Sequence, residues 1–172
     1  MRVYDPLDSC GSTTLAKPLR TFKDVHSCPA PLRSLHQYWQ SKRQGNALPT
    51  RDDIDPIELR SYLGRITLAE RRGSELVYQL VGADLASEWG FESTGKRIVE
   101  TVPASHRDTF VALYATVLTE ACPVHATLPP PSRRESDLTI DKLFLPLSYD
   151  GRSVDMVLTY ATKPRERRTE EP

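Results

Sequence analysis

The sequence predicts an α+β domain built on one antiparallel sheet of five strands, with helices gathered on one face and an amphipathic helix at the N-terminus. Two hairpin patterns carry this prediction, one near residues 65–81 and one near residues 138–160. Several short helical segments and one longer helix lie between the two hairpins. A chain of 172 residues is also long enough to bury one hydrophobic core without disulfides or metal ions to stabilise it.

The composition excludes several classes of partner. Lys and Arg together number 23, as do Asp and Glu, so no net field attracts nucleic acid or an anionic membrane. No segment has the ~20 apolar residues of a membrane-spanning helix, and the N-terminus lacks the apolar run of a signal peptide. We therefore expect a cytoplasmic protein. We also expect Cys10, Cys28 and Cys122 to be reduced thiols, because they are odd in number and far apart.

The patterning divides the chain into three regions. Residues 1–29 show no periodicity and predict a flexible tail. Residues 30–162 carry the helical and strand patterns of the domain. Residues 163–172 predict a charged C-terminal tail.

The domain is expected to begin with an amphipathic helix over residues 31–44. Leu32, Leu35 and Trp39 recur at helical spacing, with Tyr38 beside them. The apolar side of this helix must be covered by its own domain or by a second copy of the chain. We take these four side chains as a candidate surface for a dimer or a partner.

A short connection leads to the first hairpin. Asp55 is suited to cap a helix, Pro56 to occupy its first position, and Glu58 to complete a capping box. These residues predict a short helix over 56–63. Alternation of apolar and polar residues then predicts the first two strands, at 65–70 and 76–81.

Short helices are expected to follow the second strand. Gly82 ends that strand, and Asp84 and Gly90 are suited to begin and end a short helix. A second short helix is predicted over 98–102. Ser105 is expected to cap the longest helix, whose buried stripe would comprise Phe110, Leu113, Tyr114, Val117 and Ala121.

The last three strands complete the predicted sheet. In the middle one, residues 138–148, the parity of the apolar positions switches, which predicts a β-bulge near Asp141 or Lys142. Pro146 lacks an N–H group, so an interruption of the ladder is expected there. The strands on either side of it in the sequence are expected at 124–128 and 154–160.

Five motifs occur together, in order, over roughly residues 32–161. They are Tyr38-Trp39 with Arg43 and Gly45, the run 48–56, Tyr78-Gln79-Leu80-Val81-Gly82, Thr94-Gly95-Lys96, and Leu145-Pro146-Leu147-Ser148 with Asp150-Gly151. In this combination the sequence resembles the PAS domain family, and in particular a bacterial single-domain PAS-like family formerly catalogued as a domain of unknown function. Within the motifs, structural roles are expected for Arg51, Asp53, Asp55, Pro56, Gly82 and Gly95.

The resemblance implies a sheet of strand order 2-1-5-4-3 and a sensory or docking role. Many PAS domains hold a small molecule between the inner sheet face and the helices, and many pair through an N-terminal helix. The resemblance therefore implies a homodimer through helix 31–44, a regulatory partner protein and a possible small-molecule ligand. It supplies no cofactor signature that can be assigned to particular residues.

One segment superficially resembles a phosphate-binding loop. Residues 90–96 match its first seven positions, but Arg97 stands where Mg²⁺ binding needs a Ser or Thr hydroxyl. A helical segment precedes this loop, where the motif requires a strand. A turn is therefore favoured over a nucleotide-binding enzyme around Gly90 and Lys96.

Other catalytic and cofactor patterns find little support. The histidines lack zinc-ligand spacing, so no metal site is expected. His106 could face the cavity and ligate a haem, but a solvent-facing position in the first helical turn is favoured. No cysteine lies near Trp89 for flavin photochemistry, so neither haem nor flavin is supported and the cofactor stays open. The sequence also lacks a nucleophile elbow, and no enzyme is expected.

The predicted cavity gives the candidate ligand site. Its expected lining is mainly aromatic, and the alternative for the same side chains is ordinary core packing. We predict a stand-alone sensory module that binds a ligand or partner and signals through protein–protein interaction. The alternative is a ligand-free structural adaptor that acts by dimerisation or docking. The expected pocket residues are Tyr78, Leu80, Trp89, Phe91, His106, Tyr114, Phe144, Met156 and Tyr160.

Overall fold

A computed structural model describes residues 19–21, 28–45, 47–90, 92–130 and 138–166. The helices are α1 (Ala30–Ser41), α2 (Ala83–Trp89), α3 (Ile98–Thr101) and α4 (Ala104–Glu120), with a 3-10 helix at Leu63–Arg65. The strands are β1 (Leu19–Thr21), β2 (Ile66–Arg72), β3 (Glu75–Val81), β4 (Val124–Leu128), β5 (Leu138–Leu147), β6 (Met156–Ala161) and β7 (Arg165–Glu166).

The strands form one antiparallel sheet in the order β1-β4-β5-β6-β2-β3, and β7 pairs with β5. The five predicted strands are β2 to β6, and their order is the predicted 2-1-5-4-3. The fold class and the strand order are therefore confirmed. Two further strands come from segments that the sequence assigned to tails. β1 pairs with β4 at the sheet edge, and β7 pairs with the first residues of β5.

Helices cover both faces of the sheet. On the inner face, α4 packs over β5, where the Tyr114 and Phe144 rings meet edge to face with centroids 5.2 Å apart. On the outer face lie α1 and the connection that follows it, where Trp39 Nε1 donates to the Pro146 carbonyl over 2.9 Å. The expectation that the helices gather on one face is thus incomplete, because α1 shields the other.

Burial on both faces explains the parity switch in β5. Residues 139–147 are all buried, so apolar side chains occur at odd and even positions alike. The pairing of β5 with β4 and with β6 runs through Asp141 and Lys142 without a shift. The predicted bulge is therefore wrong. The irregularity lies instead between Leu68 and Ala69 of β2.

Pro146 is tolerated within β5 because the pairing of β4 with β5 does not extend as far as Pro146. The last pair between the two strands is Val124 with Phe144, so no β4 residue lies opposite Pro146. Its carbonyl points to this open side and accepts the Trp39 bond. An N–H group there would have no strand partner, and the pairing with β6 continues through Pro146. The predicted interruption of the ladder does not occur.

The helix predicted over 56–63 is replaced by turns and the 3-10 helix. Asp55 does start the segment, since its Oδ1 accepts the Ile57 N–H over 2.8 Å. Glu58 makes no capping box and instead pairs with Lys42 at 2.6 Å. A continuous helix therefore lacks its second cap.

Several motif residues shape this connection. Asp53 accepts from the Thr50 N–H and hydroxyl, both over 2.7 Å, and the Asp55 N–H donates to the Tyr38 hydroxyl over 3.0 Å. The Arg51 guanidinium lies 3.5 Å from the Ile54 carbonyl, and the Arg51 carbonyl accepts the Ile54 N–H over 3.3 Å.

Two glycines are required by the backbone. A Cβ on Gly82 would lie 2.3 Å from the Leu63 carbonyl oxygen, so a side chain is excluded there. Gly95 adopts a φ of +80°, which other residues rarely populate.

The apolar stripe of α1 is core. Leu32 and Leu35 are 0 % exposed and Trp39 is 1 % exposed within a single chain. The candidate dimer surface is therefore wrong for these three side chains, because their own domain covers them. Tyr38 is partly buried and is held by the connection.

A buried polar cluster on the outer face joins the two ends of the domain to β5. Asp141 accepts from His125 Nε2 at 3.1 Å, from the Thr127 hydroxyl at 2.7 Å and from the Arg165 guanidinium at 2.7 and 2.9 Å. The Cys28 thiol contacts His125 Nδ1 at 3.6 Å. Residues 163–166 are thus attached to the domain through Arg165.

The two cysteines in the described residues differ in state. Cys28 is a free, buried thiol, whereas Cys122 is disulfide-bonded. The expectation of reduced thiols is wrong for Cys122.

Replacing Trp39 should destabilise the domain without acting through self-association. We expect Trp39→Ala to lower the free energy of unfolding by about 3–5 kcal/mol, since it empties a buried site. The exposed neighbour Gln37→Ala is the control and should change it by less than about 0.5 kcal/mol. Urea unfolding measures both. A stable Trp39→Ala protein with a smaller oligomer size would contradict this assignment.

The Asp141 cluster should make stability depend on acid pH. Burial alone would raise the pKa of Asp141, but hydrogen bonds from His125, Thr127 and Arg165 outweigh it and hold the pKa well below its usual range. The unfolded chain takes up this proton near pH 4 while the folded chain does not, so stability falls as the pH drops below about 5.

Asp141→Asn should cost about 2 kcal/mol at pH 7, and its deficit against the wild type should shrink toward pH 2. Asp52→Asn, at an exposed position, is the matched control. Urea titrations at several pH values give the comparison. A deficit that stays constant with pH would argue against the ionised cluster.

Candidate functional site

A cavity of about 130 Å³ lies between the inner face and helices α2 to α4. Tyr78 enters it from β3, Trp89 from the last position of α2 and Phe110 from the buried stripe of α4. The Tyr78 and Trp89 rings are tilted against each other, with centroids 6.0 Å apart. The wall is completed by Glu88, Thr101, Val102, Pro103, His106, Pro129 and Lys142.

Local sequence explains how α2 and α3 form this wall. Gly90 takes a φ of +75° and ends α2 directly after Trp89, which turns the chain away from the sheet. The Arg97 N–H donates to the Glu100 carboxylate over 3.1 Å and starts α3. Pro103 then separates α3 from α4 and brings Val102 to the cavity.

Lys142 forms the floor of the cavity. It lies mid-strand in β5 and is 5 % exposed. Its Nζ sits 4.6 Å from the Phe110 ring centroid and 5.9 Å from that of Trp89. Burial, and secondarily the charge of Arg65, lowers the pKa of Lys142 to about 8. The charged form of such an amine is only slightly favoured at neutral pH, so a charged or apolar group entering the cavity would shift its pKa.

Glu88 is the carboxylate on the cavity wall, and Arg65 holds it. Both guanidinium ends of Arg65 bond to it, one of them over 3.1 Å. Arg65 is 7 % exposed and also donates to the carbonyls of Ala161, over 2.7 Å, and Thr162, over 2.8 Å. The charge of Glu88 is thereby committed to Arg65.

The tyrosines beside the cavity stay neutral at ordinary pH. Burial raises the pKa of Tyr78 well above 10, and burial also raises the pKa of Tyr114. The Tyr114 hydroxyl lies 3.5 Å from that of Thr159. Both phenols can therefore offer O–H donors near the inner face.

Five of the nine predicted pocket residues lie on the inner side of the sheet. Tyr78, Trp89 and His106 line the cavity. Tyr114 and Phe144 share the inner face but pack against each other as core. Phe91 lies outside the described residues.

The other three predicted pocket residues lie on the outer face of the sheet, away from the cavity. Leu80 lines an outer-face groove and is 38 % exposed. Tyr160 packs edge to face on Tyr62, with centroids 5.3 Å apart. Met156 pairs with Leu147, a residue of the same groove, and directly paired residues share a face. Leu68 and Ala69 of β2 pair with Leu80 and Tyr78, so Gln79 is an extra residue in β3 and breaks the strict alternation on which the prediction relies.

Sequence reasoning missed Lys142 as a cavity residue. It had interpreted this position only as a bulge. The signal was a lysine two residues from Ile140 and two from Phe144, all on one face of a strand otherwise apolar on that face. A cation in such a position faces a buried space.

The loop that resembled a phosphate-binding motif is a structural turn. The Gly95 N–H donates to the Tyr78 carbonyl over 2.7 Å and the Lys96 N–H to the Ser93 carbonyl over 3.0 Å. The Thr94 N–H donates to Glu92 over 2.7 Å. Because these amides already have acceptors, they cannot cradle a phosphate. The geometry favours the turn.

The part of the chain that the structure describes holds neither a metal-binding cluster nor a membrane-spanning helix. No three side chains among His, Cys, Asp and Glu are grouped there so as to hold a metal ion. Within the same residues, no helix combines the length and apolarity needed to cross a bilayer.

Comparison with known proteins gives a family and a fold. A family model described as a PAS domain matches residues 28–160. A solved sensory box sensor histidine kinase from Vibrio cholerae is similar over 65 % of this chain and 90 % of that chain, with 19 % identity and a TM-score of 0.47. No curated protein matches the chain.

The buried lysine should make the free energy of unfolding rise at alkaline pH. The pKa of Lys142 is about 8 in the folded chain and about 10.4 when unfolded, so the unfolded state binds more protons between these values. Stability should therefore rise by about 2 kcal/mol from pH 8 to pH 10. Lys142→Met removes this rise and is more stable than the wild type at pH 7.

Urea unfolding at several pH values measures this effect. Lys96→Met, at an exposed position in the nearby turn, serves as the control and should keep the rise. If the wild type and Lys142→Met show the same pH profile, Lys142 is not buried as a cation.

Proposed function

The chain belongs to the PAS domain family, and we propose that it is a sensory and regulatory module that binds a small ligand. The supporting observation is the inner-face cavity, which combines aromatic walls with a buried amine. Ligand sites are typically apolar hollows with a few polar groups that fix orientation. Binding there, or binding of a partner protein, would be passed on by protein–protein interaction and not by catalysis.

A physical route links the cavity to the C-terminal end of the domain. Glu88 on the cavity wall is bonded to Arg65, and Arg65 holds the carbonyls of Ala161 and Thr162. Ala161 is the last residue of β6, and two residues separate Thr162 from β7. A ligand that shifts Glu88 would therefore act on the attachment of the C-terminal segment. This supports output through the ends of the domain.

Partner and location remain proposals. A homodimer through α1 would have to use the exposed side of that helix, since Leu32, Leu35 and Trp39 are buried. A cytoplasmic location rests on the sequence, and the disulfide of Cys122 weighs against a reducing compartment. The alternative function is a ligand-free adaptor that uses the same fold only for docking.

Native mass spectrometry of the protein purified from its own host tests ligand binding. We expect a species heavier than the chain by the mass of a small compound, which is lost on denaturation. The matched variant Val102→Trp, which fills the cavity, should carry less of it. A wild-type protein with the bare mass of its chain would favour the adaptor instead.

A further inference from the structure

Lys142 is a buried cation whose recorded neighbours are aromatic rings. Among the residues that the structure describes, no hydrogen bond or ion pair is recorded for its ammonium, which lies against Phe110 and Trp89. Cation–π contacts recover only part of the hydration that a buried ammonium loses. The remaining capacity of the three N–H donors is directed toward the cavity that Lys142 lines.

The charges around the cavity do not balance. Arg65 and Lys142 contribute two positive charges, and Glu88 contributes one negative charge that is already bonded to Arg65. The other titratable groups that line the cavity are His106 and Tyr78. Burial keeps the Tyr78 phenol neutral by raising its pKa well above 10. The site therefore carries an excess of one positive charge, which suits a monoanion.

The size and walls of the cavity define the rest of the ligand. A cavity of about 150 Å³ lined by apolar side chains accommodates benzene, and this one measures about 130 Å³. Its walls of Tyr78, Trp89, Phe110 and Val102 favour an aromatic ring or a branched aliphatic chain. The Tyr78 phenol can supply an additional hydrogen bond, whereas the Thr101 hydroxyl already donates to the Ile98 carbonyl over 2.9 Å.

We propose that the cavity binds a small carboxylate with an apolar body, whose carboxylate pairs with the Lys142 ammonium while its ring or chain lies against Trp89 and Phe110. This inference rests on the proposed function and specifies the ligand class of the same site. A carboxylate supplies the charge that the ammonium lacks, and its apolar body replaces water against the rings.

Binding of benzoate and of its neutral isostere benzamide to the full chain tests the proposal. Isothermal titration calorimetry at pH 7 should show benzoate binding at least about tenfold more tightly than benzamide, since a buried charged hydrogen bond contributes that much. Lys142→Met should remove this preference, and Lys96→Met should retain it. Circular dichroism shows whether each variant is folded.

The pH dependence of the wild type provides a test that needs no variant. Benzoate affinity should fall as the pH rises through about 8, where the free amine loses its proton, and benzamide affinity should stay constant. Binding above that pH should also take up protons, which calorimetry in two buffers of different ionisation enthalpy detects. Burial raises the pKa of Tyr78 well above 10, so its phenol keeps its proton through this window.

The outcomes separate this inference from the proposed function. Equal affinity for benzoate and benzamide, or a preference that survives Lys142→Met, overturns the carboxylate assignment and leaves a ligand-binding cavity in place. Binding of neither probe also overturns it. If native mass spectrometry of the protein from its own host then shows only the mass of the chain, the proposal of ligand binding is overturned as well.

Discussion

The middle strand, β5, is covered on both faces, and this double burial constrains every polar side chain along it. Asp141 and Lys142 are neighbours in the sequence and point to opposite faces. On the outer face, Asp141 accepts from three side chains. On the inner face, Lys142 meets ring faces and a cavity. The Asp141 charge is paired within the fold, whereas the Lys142 ammonium contacts the Phe110 and Trp89 rings beside the cavity.

Asp141 and Lys142 also belong to two different parts of the domain, a structural cluster and the cavity. The Asp141 cluster attaches Arg165 and, through His125, the Cys28 segment to the sheet. It contains a Cys–His–Asp series, but the Cys28 thiol is 5 % exposed, so a substrate could not reach it without movement of the surrounding chain. We interpret the series as structural. The cavity lies on the other face, and its wall residue Glu88 is linked to the C-terminal segment through Arg65.

The sequence predicts the fold well because alternation and turn residues are local signals. The first hairpin, α2, α3 and the stripe of α4 as far as Val117 follow from them directly. The predicted caps do not, because α2 and α4 begin after Gly82 and Pro103 and not at Asp84 and Ser105. The position of α1 could not be predicted, since an amphipathic helix with Trp39 fits its own sheet or a second chain equally well. The strands β1 and β7 have two or three residues each and form only by pairing with longer strands.

The site was harder to predict than the fold. Which side chains share a cavity depends on register, and one irregularity between Leu68 and Ala69 placed Leu80 on the outer face. The position of Lys142 between Ile140 and Phe144 is a signal in the sequence, and the burial of both faces of β5 in the structure gives it its meaning. Propensity scales treat a lysine in a strand as a surface residue, and here tertiary burial overrides that preference.

The most direct test of the account is a crystal structure of the protein purified from its own host, with attention to the space between Lys142, Trp89 and Phe110. We expect density for a compact non-protein molecule with an oxygen atom within hydrogen-bonding distance of Lys142 Nζ. A cavity filled by side chains, with Lys142 paired to Glu88, would contradict it.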